Sequence, residues 1–200
     1  MWHAAWAGFF VVSYLLGSIP FGRLIAQRVA RIDITRRGSG NIGATNVARE
    51  LGVKWGLVTL LLDLLKGLAP TLAFRALFPG QDTALSIVGV CALLGHQFTP
   101  FLRFRGGKGV ATALGVYLAI SPLSCLGALV VFVLVVSVWD FISLGSMAGA
   151  AAMPLFLALA SVPAVIVLAS AFMACFIFLK HKENIRRLLA GNERKWRKRG

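Results

Sequence analysis

Seven apolar runs alternate with short polar stretches along this 200-residue chain, at about 5–26, 55–74, 83–102, 110–120, 124–138, 147–160 and 164–179. Runs of this length and polarity predict helices that cross or enter a membrane. The expected fold class is an all-α polytopic membrane protein with seven transmembrane helices. Its N-terminus is expected outside and its C-terminus in the cytoplasm, with short or re-entrant segments near the site. Run 110–120 is too short for a hydrocarbon core of about 30 Å unless the glycine-rich stretch before it is drawn into the membrane. If the short segments are re-entrant instead, the count falls to five or six.

Interruptions within the runs add detail. Pro20, with Gly17 and Gly22, predicts a kink or a close helix contact near the inner end of the first run. Asp63 and Lys66 lie in the second run, three apart and so on one helix face. A charge in mid-span costs about 2.5–3.5 kcal/mol on insertion scales, so both must face protein or water, with each other as one available partner. A structural ion pair is favoured over direct catalysis. Gly145 and Gly149 form a G-x-x-x-G pair suited to helix packing. Pro79-Gly80, Ser121-Pro122 and Ser161-Val162-Pro163 supply the outer turns, and 28–54 and 139–146 are the inner polar connections.

Composition agrees with the pattern. Hydrophobic residues make up 58% of the chain and the mean hydropathy is +0.80, which excludes an ordinary soluble domain. One integral membrane domain, 1–200, is expected. The net charge of +14 would indicate nucleic acid in a soluble protein. Here the cations sit between and after apolar runs, so they read as topology and anion binding, with membrane lipid and no nucleic acid as partner. Under the seven-span topology only Arg75 among the lysines and arginines faces outward. The first run has no cation before it and five arginines after it, Arg23 to Arg37, so it is read as a retained span and not as a cleaved signal peptide. Cys91, Cys125 and Cys175 stand singly in apolar runs and are expected to be reduced packing residues. The tail from Arg194 to Arg199, with Trp196, reads as an anchor on anionic lipid.

The same topology places four polar segments on the inner side: Ser39 to Arg49, His96 to Thr112, Ser143 to Ser146, and His181 to Glu193. Gly106, Gly107 and Gly109 surround Lys108, a composition that lets backbone N–H groups converge on an anion beside a point charge. A charged glycine turn is the plainer alternative. Ser39, Asn41, Thr45 and Asn46 offer short donors, and Arg49 a bidentate phosphate contact; an ordinary loop with a helix cap at Ser39 or Thr45 is the alternative there. Together such segments suit phosphoryl or acyl transfer at the membrane surface. A P-loop is excluded because Leu102 and Gly109 stand where glycine and a hydroxyl residue are needed. The His-x4-Asp pattern of acyl-CoA- and acyl-carrier-dependent acyltransferases is absent, since Phe101 and Arg186 occupy the acid's place. The acids are scattered, so a mechanism without metal or cofactor is expected. A small membrane transporter of an organic phosphate is the rival reading, and a structural membrane subunit a weaker one.

Three stretches carry a specific resemblance. Ser39-Gly-Asn-Ile-Gly-Ala-Thr-Asn46 with Arg49, Gly95-His96 through Phe104-Arg-Gly-Gly-Lys-Gly-Val-Ala-Thr112, and His181-x-x-Asn184-Ile-x-Arg187-Leu with Gly191 and Glu193 resemble the signature motifs of the bacterial acyl-phosphate:glycerol-3-phosphate acyltransferase family (PlsY). The resemblance, with the Ser143-Leu-x-Ser146 linker, covers essentially the whole chain. It implies transfer of a fatty acyl group from acyl phosphate to the 1-hydroxyl of sn-glycerol 3-phosphate. The products are lysophosphatidic acid and phosphate, in bacterial phospholipid synthesis at the cytoplasmic membrane, with the active site on the cytoplasmic face. It also implies that neither acyl-CoA nor acyl-carrier protein is the direct donor.

The resemblance further implies residue roles. Gly106, Gly107, Lys108 and Gly109 would hold the phosphate of glycerol 3-phosphate. Ser39, Thr45 and Arg49 would hold or polarise the acyl phosphate, with Asn41, Asn46 and Ser143 also binding substrate. Ser146, His181 and Asn184 would complete the pocket and orient the nucleophile, and Glu193 would be structural. His96 and His181 are the side chains with a suitable unperturbed pKa for a base, and a substrate phosphate oxygen is the alternative acceptor.

Overall fold

The computed structural model describes residues 2–197, and every helix and strand assignment among them is helical. Ten α-helices follow in order: α1 (Trp2–Ser18), α2 (Phe21–Ala30), α3 (Ala44–Leu51), α4 (Val53–Leu77), α5 (Asp82–Gln97), α6 (Val110–Ile120), α7 (Pro122–Trp139), α8 (Ile142–Leu159), α9 (Ala164–Lys180) and α10 (Lys182–Leu189). Short 3-10 turns stand at Ile34–Arg36 and Pro100–Leu102. The chain forms two compact units, 1–120 and 121–200.

Five segments are long and apolar enough to cross a membrane among the described residues: 4–30, 53–77, 82–102, 122–139 and 142–159. The pair α9 and α10, bent by 60°, makes a sixth if it counts as one span. The expected seven is therefore not reached by length. Helix α6 has 11 residues, about 16 Å of rise against a core of about 30 Å.

In the first unit α1 packs on α5, and α4 on α6. Small residues let the backbones touch: a Cβ on Gly17 would strike the Ala92 carbonyl, and one on Gly67 the Thr112 carbonyl. Hydroxyls tie α1 to the neighbourhood of α5, Ser13 Oγ donating to Val88 O and Thr99 Oγ1 to Ser18 O, each at 2.7 Å. The kink expected at Pro20 is a full break between α1 and α2. Gly22 also abuts the Ile42 carbonyl, so the close contact is there as well. Arg75 donates to the carbonyl of Ile120 at 2.9 Å and to that of Ala119, capping the C-terminal end of α6.

Helix α4 shows how the solvent shapes the pattern. Its Leu57, Leu61 and Leu72 are exposed, while Thr59, Asp63, Lys66 and Thr71 are buried. In lipid the apolar stripe faces outward and the polar positions face protein. Asp63 and Lys66 pair at 2.8 Å, as their spacing predicts.

In the second unit α7 packs on α8 and α8 on α9. Gly145 lies against Val136 and Phe132, and Gly149 against the Ala128 carbonyl, so the G-x-x-x-G pair serves packing. Helix α8 begins at Ile142, inside the stretch expected to be a polar linker, because the small residues of 143–149 pack on α7 as helix. Asp140, with φ of 63°, ends α7. Its carbonyl accepts from Trp196 N at 2.9 Å and its carboxylate from Arg197 N at 3.1 and 3.2 Å. Lys198 and Arg199 of the expected lipid anchor lie outside the described residues. All three cysteines carry free thiols; Cys125 is buried, but Cys175 is exposed on the apolar surface of α9 and does not pack as expected.

Candidate active site

The first group of expected site residues is built on the connection from α2 to α3. Ala26, Ile34, Ile42 and Val47 form its core, with Leu51, Trp55 and Leu102 packed against them. Leu102 belongs to the connection from α5 to α6, so both motif stretches of this unit rest on one apolar cluster. Above it, the buried Asn46 organises the loop. Its Oδ1 accepts from Ser39 N at 2.9 Å, and its Nδ2 donates to Arg37 O at 3.1 Å and Asn41 O at 2.9 Å. Asn41 closes an Asx turn by accepting from Gly43 N at 2.8 Å. Gly38, at φ +57°, would bring a Cβ onto the Asn46 amide and the Glu50 carboxylate, which explains glycine there.

Ser39 is exposed at the crest of this loop. Thr45 and Arg49, four apart on α3, share a half-exposed helix face. Ser39, Asn41 and Asn46 are thus joined directly, but the Asn46 amide is committed to holding the loop. Asp33 begins the turn by accepting from Thr35 Oγ1 at 2.7 Å and Thr35 N at 3.1 Å. The Thr35 bonds, with Arg23 and Arg36 nearby, hold its carboxyl below the usual range.

The glycine stretch is laid back along the end of α5. Gly106 N donates to Gln97 O and Gly107 N to His96 O, each at 3.1 Å. Gln97 Nε2 in turn donates to Lys108 O at 2.8 Å. The glycine composition predicts amides that converge on an anion; two of them instead bond the end of α5. A Cβ on Gly106 would strike the His96 carbonyl, one on Gly107 the His96 imidazole at Nε2, and one on Gly109 the Leu93 side chain. The glycines are required first by close approach, and only Gly109, at φ +85°, also by backbone conformation. Lys108 is half-buried at the end of this stretch.

His96 is buried, at 3% exposure. Its Nδ1 lies 3.7 Å from Asp63 Oδ1, the atom that Lys66 holds at 2.8 Å. Lys66 also donates to Ile19 O at 2.9 Å, at the break between α1 and α2. Asp63 was not among the expected site residues. An acid and a base inside an apolar run was the signal, but their proximity to His96 is decided by the fold alone.

The second group lies in the second unit, around Glu193. Its Oε1 accepts from Ser143 Oγ at 2.7 Å and from Asn184 Nδ2 at 2.6 Å, and its Oε2 meets Arg187 Nε at 2.7 Å. Burial pushes this carboxyl up, but the bonds from Ser143, Asn184 and Arg187 outweigh it and hold Glu193 below the ordinary value. His181 marks the bend between α9 and α10 and is 1% exposed. Its Nδ1 bonds Ile177 O at 2.8 Å. A carbonyl only accepts, so Nδ1 carries the proton and Nε2 is the basic nitrogen of the neutral ring. Ser146 Oγ donates to Ile142 O at 2.8 Å on its own helix. Ser143 and Asn184 are therefore brought together through Glu193, while Ser146 and His181 each bond a carbonyl one turn back.

Residues 7–191 match the family model for glycerol-3-phosphate acyltransferase, a range that holds every expected site residue. The chain belongs to the glycerol-3-phosphate acyltransferase family. It is 52% identical over 186 residues to a glycerol-3-phosphate acyltransferase of Geobacter sulfurreducens, covering 93% of this chain and 95% of that one. It is 50% identical over 181 residues to one of Geotalea daltonii, covering 90% and 92%. Two crystal structures of PlsY, an integral membrane glycerol 3-phosphate acyltransferase, superpose with TM-scores of 0.92 and 0.90. They are of its glycerol 3-phosphate and lysophosphatidic acid forms; each is 39% identical and covers 96% of this chain and 95% of the other. The family's shared character agrees with the candidate spans: this is a multi-pass membrane protein.

Proposed function

We propose that this glycerol-3-phosphate acyltransferase takes its acyl group from acyl phosphate, and that it works on the cytoplasmic face of the bacterial cytoplasmic membrane. The reaction joins a fatty acyl group to the 1-hydroxyl of glycerol 3-phosphate and forms lysophosphatidic acid. With acyl phosphate as donor, the hydroxyl oxygen bonds to the acyl carbon, the bond from that carbon to the phosphate oxygen breaks, and inorganic phosphate leaves. The hydroxyl proton passes to His181 Nε2, to His96 or to an oxygen of the departing phosphate. Acyl-CoA and acyl-carrier protein are not direct donors in this reading.

The family match over 7–191, which takes in the motif stretches up to Gly191, carries the proposal. Charge supports it. Both substrates are anions that repel each other, and a chain with 21 Lys and Arg against 7 Asp and Glu is suited to bring them together. Ser39, Thr45 and Arg49 are assigned to the acyl phosphate, Ser39 lying at the exposed crest of its loop and Thr45 and Arg49 on one half-exposed face of α3. Gly106 to Gly109 with Lys108 are assigned to glycerol 3-phosphate; with two amides committed to α5, the Lys108 ammonium becomes the principal contact. His181, Asn184, Ser143 and Ser146 are assigned to orienting the nucleophile, within a single acyltransferase domain. Seven crossings, N-terminus outside, are kept as the topology, with 104–109 completing the short crossing of α6.

Formation of lysophosphatidic acid by the purified protein tests this reading, with acyl phosphate, acyl-CoA and acyl-carrier protein compared as donors to glycerol 3-phosphate and phosphate release followed for acyl phosphate. Product from acyl phosphate alone is expected. Turnover with either other donor would overturn the donor assignment. No product, together with uptake of glycerol 3-phosphate by vesicles carrying the protein, would make it a transporter.

A further inference from the structure

We infer that Asp63, held by Lys66, is a positioning residue for His96 and through it for the glycine stretch that presents Lys108. The inference rests on the acyltransferase reading above and assigns a task to two residues that reading leaves idle. The three side chains are buried, at 2% for Asp63, 5% for Lys66 and 3% for His96. Asp63 Oδ1 is shared, 2.8 Å from Lys66 Nζ and 3.7 Å from His96 Nδ1. Lys66 is itself fixed by Ile19 O at 2.9 Å. The anchor of the cluster is therefore the backbone at the α1–α2 break, and its far end is the imidazole.

The imidazole stands between the carboxylate and the glycines. Its Nδ1 edge faces Asp63, and its Nε2 lies where the Cβ of any residue at 107 would be. The 3.7 Å separation is longer than a hydrogen bond, so the carboxylate acts on the ring by charge, favouring the proton on Nδ1 and turning that edge toward itself. The ring so held sets the height of Gly107, and Gly106 and Gly107 are bonded to the carbonyls of Gln97 and His96. Lys108 follows directly, with its carbonyl held by Gln97. A shift of the ring is thereby transmitted to the Lys108 backbone. A buried ion pair is poor evidence of stabilisation, since apolar replacements of similar volume often serve as well. The third partner, His96, is what an apolar pair cannot replace.

That difference supplies the test. The double variant Asp63→Leu/Lys66→Met removes both charges and keeps apolar volume. It is compared with Asp63→Asn, His96→Gln and Asp63→Asn/His96→Gln in detergent. Thermal unfolding reports folding, and kcat and KM for glycerol 3-phosphate report positioning. The expected result is a folded double variant whose kcat/KM for glycerol 3-phosphate falls at least about tenfold. Asp63→Asn should add nothing to the loss caused by His96→Gln, the non-additivity of residues that act as one unit. Imidazole nitrogen shifts of labelled His96 should show the Nδ1–H tautomer in the unsubstituted protein and a mixture in Asp63→Asn. This readout stands even if the protein proves to have no acyltransferase activity, which the unsubstituted protein decides separately. Should the double variant not fold, Asp63→Asn carries the comparison through the tautomer and the additivity. Near-normal kcat/KM in a folded double variant, additive losses, or an unchanged tautomer would each overturn the inference.

Discussion

Ser143 Oγ donates to Glu193 Oε1 at 2.7 Å, linking positions fifty residues apart in the chain. The same carboxylate gathers Asn184 and Arg187. One acid therefore sets the relative place of two expected substrate-handling side chains, Ser143 and Asn184.

Glu193→Ala is expected to cost about 2 kcal/mol of stability, since it strands a hydroxyl, an amide and a guanidinium that shared one charged acceptor. Activity should fall with it. Thermal unfolding in detergent measures the first and phosphate release the second. An unchanged melting temperature would mean that the three partners find other bonds.

The depressed pKa of Glu193 gives that contribution a pH dependence. A carboxylate that ionises more readily when folded stabilises fully above its unfolded value, near the ordinary 4.5, and the benefit is lost as pH falls through its lower folded value. The gap in melting temperature between the unsubstituted protein and Glu193→Gln should be level above about pH 5 and should close as pH falls below about 4. A gap that widened on acidification would contradict the assignment.

Gly107→Ala should abolish most turnover, because the added Cβ meets the buried His96 ring. Gly80→Ala is the control. Gly80 has φ +76° but nothing near its Cβ position, so only backbone strain of about 1 kcal/mol is expected, with turnover kept. Paired kinetics and melting curves separate the two effects.

Asn46→Asp keeps the acceptor for Ser39 N but replaces the donor to Arg37 O and Asn41 O with an oxygen. Facing two carbonyls with a carboxylate should loosen the loop and lower kcat/KM by about ten- to a hundredfold, an effect of about 1–3 kcal/mol. Asn46→Ala should be similarly impaired. If either variant kept full kcat/KM, the loop would owe its shape to the apolar cluster beneath it.

Much of the architecture was legible because lipid leaves strong local marks. Long apolar runs and proline-glycine turns follow from hydrocarbon thickness and hydrogen-bond demand, so the long helices and their order could be read directly. The start of α8 could not. Serine and glycine at 143–146 read as linker by propensity, and only packing on α7 makes them helix.

By itself the sequence determined that this is a helical membrane protein with three family motifs, and that Asp63 and Lys66 share a helix face. Those are matters of length, periodicity and residue order. Only the tertiary structure decided that Asp63 meets His96, that Asn46 holds the loop bearing Ser39, and that two glycine amides bond the end of α5. A hydrogen-bonding group does not carry its partner's identity in its own stretch of chain. That identity is settled when helices close on one another and bring polar groups distant in the chain side by side.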